Sequence, residues 1–110
     1  MHDIGNVVNR IDHAQSGAVM AFRLLDKMGM KAAEISGIVT AIGNHDEKTA
    51  YPVNEIAAAL IIADKTDVRR NRVRPDEKNF DIHDRVNYAV TNNQLNIDQE
   101  SRKIKLEIEV

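Results

Sequence analysis

The spacing of the apolar residues changes once along this chain, and this change constrains the fold most strongly. Before Asn92 the apolar residues recur at the three- and four-residue spacing of amphipathic helices, whereas from Leu95 onward they alternate with polar residues. The first pattern predicts four helices and the second predicts two short strands. We therefore expect an all-α fold, a helical bundle over residues 1–93, followed by a small C-terminal β-hairpin over residues 94–110.

Capping residues give the expected limits of the helices. Asp12 is placed to begin the first helix and Gly29 to end it, while Asp81 and Asp84 have the spacing of a capping box. The helices are predicted over residues 13–28, 31–43 and 53–67, and from residue 82. A basic loop is expected over residues 69–78.

Composition excludes several classes of protein. The net charge of −2 gives no electrostatic reason to expect nucleic-acid binding. The chain has no cysteine, so it can form neither a disulfide nor a thiolate metal site. No apolar stretch approaches the ~20 residues that span a bilayer, and no signal-peptide pattern opens the chain. We therefore expect a cytoplasmic protein without a membrane or nucleic-acid partner.

Five residues that could bind a metal ion stand at the edges of the predicted helices. They are His2, Asp3, His13, His45 and Asp64. Imidazole nitrogens and carboxylate oxygens are ligands for divalent iron, manganese, zinc and magnesium. Each histidine has an alternative role, because a histidine at a helix end is often only a hydrogen-bonded terminus. The set, rather than any single member, predicts a metal site.

Asp64 is the most informative of the five. It follows Ile56 by eight positions and Leu60 by four, so it is expected on the same buried stripe of the third helix. A buried carboxylate without a partner costs several kcal/mol or takes up a proton. An ion pair with Lys65 or with an arginine of residues 69–74 would explain Asp64 as well as a metal would.

Basic residues follow Asp64 directly. Guanidinium groups bind phosphate oxygens in a bidentate manner, so we predict that Arg69, Arg70 and Lys65 contact a phosphorylated substrate. The alternative is an exposed basic loop that neighbouring acidic residues neutralise. A second His-Asp pair, His83-Asp84, is left outside the site because the capping box already explains Asp84.

Four motifs, HDIG, HAQSGA, AIGNHDE and LIIADKTDVRRNRVR, follow one another along the chain. Taken in order, they resemble the motifs of the HD-domain superfamily of metal-dependent phosphohydrolases. The resemblance covers residues 2–74, and the run of small residues after His13 is similar to small bacterial HD hydrolases, which include the group that cleaves diadenosine tetraphosphate symmetrically. No GYP tripeptide follows His45, so the branch that cleaves cyclic di-GMP is not expected.

The resemblance implies an HD-domain-like helical bundle around one or two divalent ions, of which Fe, Mn and Mg are expected. His2, Asp3 and Asp64 would match the central ligands, and His13 and His45 the additional histidines of members with two metals. Asp3 would bridge the metals and Asp64 would complete the first site, so both are the predicted catalytic residues. A metal-activated water would hydrolyse a phosphate ester or anhydride of a nucleotide or small phosphorylated metabolite.

One departure from the family pattern leaves alternatives open. The family has a histidine on a helix upstream of the His-Asp pair, and nothing before His2 can match it, so we expect an N-terminally incomplete domain. A catalytically impaired module that binds a phosphorylated ligand or a protein partner is one alternative. Another is a helical interaction domain whose hairpin mediates dimerisation. Self-association into a homo-oligomer is compatible with each of these readings.

Overall fold

A computed structural model describes residues 1–73 and 80–110, and the rest of the predicted basic loop, including Arg74, lies outside the described residues. The described chain divides into two compact units, Met1–Asp64 and Lys65–Val110. The predicted division into domains at residue 93 stays a prediction. None of the helices in the described part of the chain has the length and apolar content needed to cross a bilayer.

The first unit contains a short 3-10 turn, two complete helices and most of a third. The turn covers Ile4–Val7 and is followed by α1 (His13–Lys27), α2 (Ala32–Gly43) and α3 (Glu55–Thr66), whose last two residues belong to the second unit. Gly29 adopts a φ of +77° directly after α1, as a helix-ending glycine does. Asp12 stands at the expected start of α1, but its φ is 56° and its side chain makes no capping hydrogen bond.

The core of this unit is formed by α1 and α2. Ala18 and Ala21 of α1 pack with Ile42 of α2, and three partly buried residues, Ile38, Val39 and Leu60, cover them. The small side chains of Ala18 and Ala21 let α1 lie close to α2. The third helix begins two residues later than predicted, because the Asn54 side chain caps it by accepting the Ala57 N–H at 2.8 Å.

Among the described residues, the second unit contains the last two residues of α3, a 3-10 turn (Arg70–Arg72), a short helix and a hairpin. Helix α4 (Ile82–Ala89) begins with the predicted capping box, in which Asp81 and Asp84 each accept a backbone N–H of the other. Strands β1 (Asn92–Asp98) and β2 (Lys103–Glu109) pair antiparallel. The Asn93 side chain donates to the carbonyls of Thr66 at 2.8 Å and Val68 at 2.9 Å, which anchors the start of β1 to the end of α3 and the residues that follow it.

The predicted all-α class is wrong. The described part of the chain is mixed, with four helices (52% helical) and a two-stranded antiparallel sheet. The error came from treating the hairpin as a small appendage of a helical bundle. Each strand is seven residues long, and β1 begins at Asn92, three residues before the alternation of apolar and polar residues starts at Leu95.

Candidate metal centre

The 3-10 turn places His2 and Asp3 against the start of α1. This close approach depends on two glycines that face each other across the contact. A Cβ on Gly5 would lie 1.9 Å from the backbone oxygen of His13, and a Cβ on Gly17 would lie 3.3 Å from the backbone nitrogen of Gly5. The absence of side chains at these positions therefore allows His2, Asp3 and His13 to approach one another.

All five predicted ligand residues converge in the first unit. The Nε2 atom of His13 lies 3.3 Å from Oδ1 of Asp3, and that of His45 lies 3.6 Å from the same oxygen. On the other side, Nε2 of His2 lies 3.4 Å from Oδ2 of Asp3 and 3.5 Å from Oδ1 of Asp64. The Asp3 carboxylate thus stands between two groups of ligands, one facing each of its oxygens.

The distances between these atoms suit ligands of a shared cation. Metal–ligand bonds of about 2.1 Å place neighbouring ligand atoms roughly 3.0–3.4 Å apart in octahedral or tetrahedral arrangements. Three residues, His2, Asp3 and His45, have ligand atoms that all lie within 4.8 Å of one another. The remaining two, His13 and Asp64, each approach one member of this set, at 3.3 Å from Asp3 and 3.5 Å from His2.

Backbone carbonyls orient two of the histidine rings. The Nδ1 atom of His13 donates to the carbonyl of Arg10 at 3.1 Å, and that of His45 donates to the carbonyl of Ile42 at 2.6 Å. Because a carbonyl can only accept, these contacts place the proton of a neutral ring on Nδ1 and the lone pair on Nε2. Ligating histidines are commonly held in this way by their second nitrogen.

Burial differs across the cluster. His13 and His45 are each only 2% exposed, and their rings meet edge to face with centroids 5.1 Å apart. The side chains of His2, Asp3 and Asp64 are 32%, 42% and 24% exposed. The two buried histidines therefore form the inner wall of the centre, and the other three residues form its outer side.

The Nε2 atom of His2 provides the test of whether these residues fit a metal. It is buried and has no hydrogen-bond partner among the described residues, although two carboxylate oxygens lie within 3.5 Å. A buried polar atom without a partner carries a desolvation cost. A cation between His2, Asp3 and Asp64 would remove that cost, so the residues present fit a divalent metal ion.

The charge of Asp3 is stabilised by its neighbours. Burial raises the pKa of the Asp3 carboxyl. The three histidines that face it together lower the pKa by more than burial raises it, so the pKa lies below its ordinary value. At neutral pH Asp3 is therefore ionised, which is the form that a metal ligand requires.

Arg10 is a neighbour of the centre that the sequence reasoning missed. Its guanidinium Nη1 lies 4.0 Å from Oδ1 of Asp3 and 3.3 Å from Oδ1 of Asn6, and its side chain is 74% exposed. No local pattern sets Arg10 apart from other exposed arginines. The carbonyl of Arg10 accepts the hydrogen bond from the His13 ring. The position of Arg10, three residues before His13, is the sequence signal that could have drawn attention to it.

The predicted phosphate-binding residues lie in the second unit. Lys65 stands in the last turn of α3. Arg69 forms an ion pair with Asp67, and Arg70 donates to the Tyr88 carbonyl at 2.7 Å with its guanidinium 4.9 Å from the centre of the Tyr88 ring. Arg69 and Arg70 also line a cavity of about 360 Å³. Their role as substrate ligands stays a prediction.

The chain matches no protein-family model, no curated protein and no solved structure. The likeness of its motifs to the HD-domain superfamily therefore stays a prediction, as do the activity and the metal that the likeness implies.

Proposed function

We propose that this chain is a metal-dependent phosphohydrolase that acts on a nucleotide or a small phosphorylated metabolite. The observation that carries the proposal is the placement of three histidine Nε2 atoms around one carboxylate, at 3.3, 3.4 and 3.6 Å from the oxygens of Asp3. The resemblance to HD-domain motifs supplies the class of substrate.

A cation explains this placement better than protons do. With their protons on Nδ1, His13 and His45 direct lone pairs at a negatively charged oxygen, which is repulsive unless a positive charge lies between them. Protonating both rings would bury two imidazolium groups that are each 2% exposed, with their centroids 5.1 Å apart. One shared metal ion would satisfy both nitrogens and the carboxylate without that cost.

The chain's own residues would hold the metal on both sides of Asp3. His2 and Asp64 would bind on the Oδ2 side, and His13 and His45 on the Oδ1 side, with the Asp3 carboxylate shared between them. When bound, a divalent cation supplies a Lewis acid that polarises phosphoryl oxygens and acidifies water. Arg10, exposed beside Asp3, would bind a phosphoryl oxygen and neutralise its charge.

The test is metal content followed by phosphate release. We expect the purified protein to retain divalent metal by elemental analysis and to release phosphate from members of a nucleotide panel in the presence of Mn²⁺ or Fe²⁺. Asp3→Asn keeps the shape of the side chain but removes its charge, so it should lose metal and lower the rate by about a hundredfold or more. Asp26→Ala, on the exposed side of α1, is the matched control and should change neither.

The outcomes separate the proposal from its alternative. Wild-type protein that binds no divalent metal would end the proposal. Metal that binds and is lost in Asp3→Asn, without phosphate release from any member of the panel, would instead support a module that binds a phosphorylated ligand. Thermal-shift measurements with the same nucleotides would then identify that ligand.

A further inference from the structure

Strand β2 has one edge that faces away from β1. The Glu109 carbonyl accepts the Thr91 N–H at 2.8 Å, so the backbone groups of Glu109 point toward β1. Because these groups alternate between the two sides of a strand, those of Ile104, Leu106 and Ile108 point to the outer edge. The sheet has two strands in the described part of the chain, and no third strand covers this edge there.

The charged residues of β2 stand in an order that is complementary to itself. Lys103, Lys105, Glu107 and Glu109 occupy alternate positions and share one face of the strand. If two copies of β2 pair antiparallel about a two-fold axis through Leu106, position 103 faces 109 and position 105 faces 107. Every lysine then faces a glutamate, whereas parallel pairing in register would place like charges opposite each other.

Strand β1 does not neutralise the two central charges. Across the ladder, Asn96 is the partner of Lys105 and Gln94 is the partner of Glu107, so each charge faces a neutral amide. Lys105 and Glu107 pair with each other along the strand at 2.8 Å, but their side chains remain 69% and 50% exposed. Both charged groups are therefore accessible to a strand that approaches the outer edge.

The opposite face of the hairpin is apolar and exposed. Leu95, Ile97, Ile104 and Ile108 are 37%, 67%, 52% and 41% exposed. A two-stranded sheet is marginally stable by itself, and three or more strands with an apolar face are needed for independent stability. Pairing through β2 would place Ile104 beside Ile108 of the partner subunit and extend the apolar face over four strands.

We propose that this chain forms a two-fold symmetric homodimer through antiparallel pairing of β2 with the β2 strand of a second copy. Lys105 of each copy pairs with the partner subunit's Glu107, and Lys103 with the partner subunit's Glu109. The backbone groups of Leu106 meet at the axis. The dimer does not depend on the proposed metal chemistry, because its residues all lie in the hairpin of the second unit.

Charge reversal tests the register. Wild-type protein is expected to sediment as a dimer. Lys105→Glu and Glu107→Lys each place like charges opposite each other twice per dimer, so each should weaken dimerisation by roughly tenfold or more. An equimolar mixture of the two variants restores opposite charges and should form a heterodimer. The double variant K105E/E107K should dimerise as the wild type does.

Lys48→Glu is the matched control, since it makes the same change of charge at an exposed loop residue outside the hairpin and should remain dimeric. Circular dichroism verifies that each variant is folded. A monomeric wild type at high micromolar concentration would overturn the proposal. So would single variants that dimerise as strongly as the wild type, or a mixture of folded single variants that stays monomeric.

Cross-linking gives a second measurement that does not depend on charge. The chain contains no cysteine, so Leu106→Cys introduces a single thiol at the axis. Directly opposed residues have Cα atoms about 5.5 Å apart, which a disulfide can span. Lys103→Cys is the control, because the two introduced thiols would lie about 20 Å apart. Rapid oxidation to a covalent dimer is expected only for Leu106→Cys, and equal rates for both variants would contradict the register.

Discussion

Gly5 lies where the turn that carries His2 and Asp3 crosses helix α1. A Cβ at this position would lie 1.9 Å from the backbone oxygen of His13, and a backbone atom cannot rotate away. We therefore expect Gly5→Ala to destabilise the fold by about 1–3 kcal/mol, as overpacking does, and to move His2 and Asp3 away from the other ligands. Urea denaturation measures the first effect, and titration with Mn²⁺ measures the second.

Gly43→Ala is the matched control for this substitution. Gly43 ends helix α2, and a Cβ there would lie at an ordinary contact distance of 3.7 Å from the Ala18 side chain. Because alanine favours helix, we expect this variant to be as stable as the wild type or more stable by up to ~1 kcal/mol. Equal losses of stability and metal affinity in both variants would show that the contact at Gly5 does not position the ligands.

The candidate ligands could be selected from the sequence because their chemistry is visible in the residue types. His2, Asp3, His13, His45 and Asp64 were chosen by type and order, and the structure brings them together, although their role as ligands stays a prediction. The sequence could not reveal how the site is held. The role of Gly5 and the nearness of Arg10 to Asp3 depend on where the turn crosses α1, which is a tertiary contact without a local pattern.

Helix α3 shows where apolar periodicity loses its power to predict. We expected Ile56, Ala57, Leu60 and Ala63 to share a buried face with Asp64. Ala57 is fully buried, but Ile56 is 52% exposed. Apolar residues lie on nearly every side of this helix between Ile56 and Ala63, so its pattern cannot identify the face that packs.

The turn between β1 and β2 allows a prediction about pH. The Asp98 carboxylate accepts hydrogen bonds from the Ser101 hydroxyl and backbone N–H and from the Glu100 N–H. The Ser101 hydroxyl bond is the largest of the effects that hold the Asp98 pKa below its ordinary value of 3.8. These bonds stabilise the turn above the ordinary pKa, and the stabilisation is lost as pH falls through the lowered pKa.

We therefore expect Ser101→Ala to raise the pKa of Asp98 toward its ordinary value. Carboxyl chemical shifts followed by NMR during a pH titration measure this change directly. Thr91→Ala is the control, because Thr91 contacts Glu109 at the other end of the hairpin and should leave the Asp98 pKa unchanged. An Asp98 pKa that is the same in Ser101→Ala and wild type would show that the hydroxyl does not stabilise the charged carboxylate.

The chain as a whole combines two units with different chemistry. All five candidate ligands lie within Met1–Asp64, on the turn, at the start of α1, after α2 and on α3. A bound metal would therefore tie together every element of the first unit. A ligand that binds only the folded state stabilises it by an amount that grows with the logarithm of the ratio of free ligand to Kd. Metal should therefore slow the opening of these elements together.

Hydrogen exchange measured by mass spectrometry tests this expectation. With free Mn²⁺ at about a hundred times its Kd, amides of residues 1–64 that exchange through opening of the unit should slow by roughly a hundredfold. His2→Ala removes a ligand that is 32% exposed, so it should abolish the protection without a large loss of folding. His83→Ala, at an exposed position on α4, is the matched histidine control and should retain the protection. Protection that survives in His2→Ala, or that is confined to residues 65–110, would place the metal outside the five-residue centre.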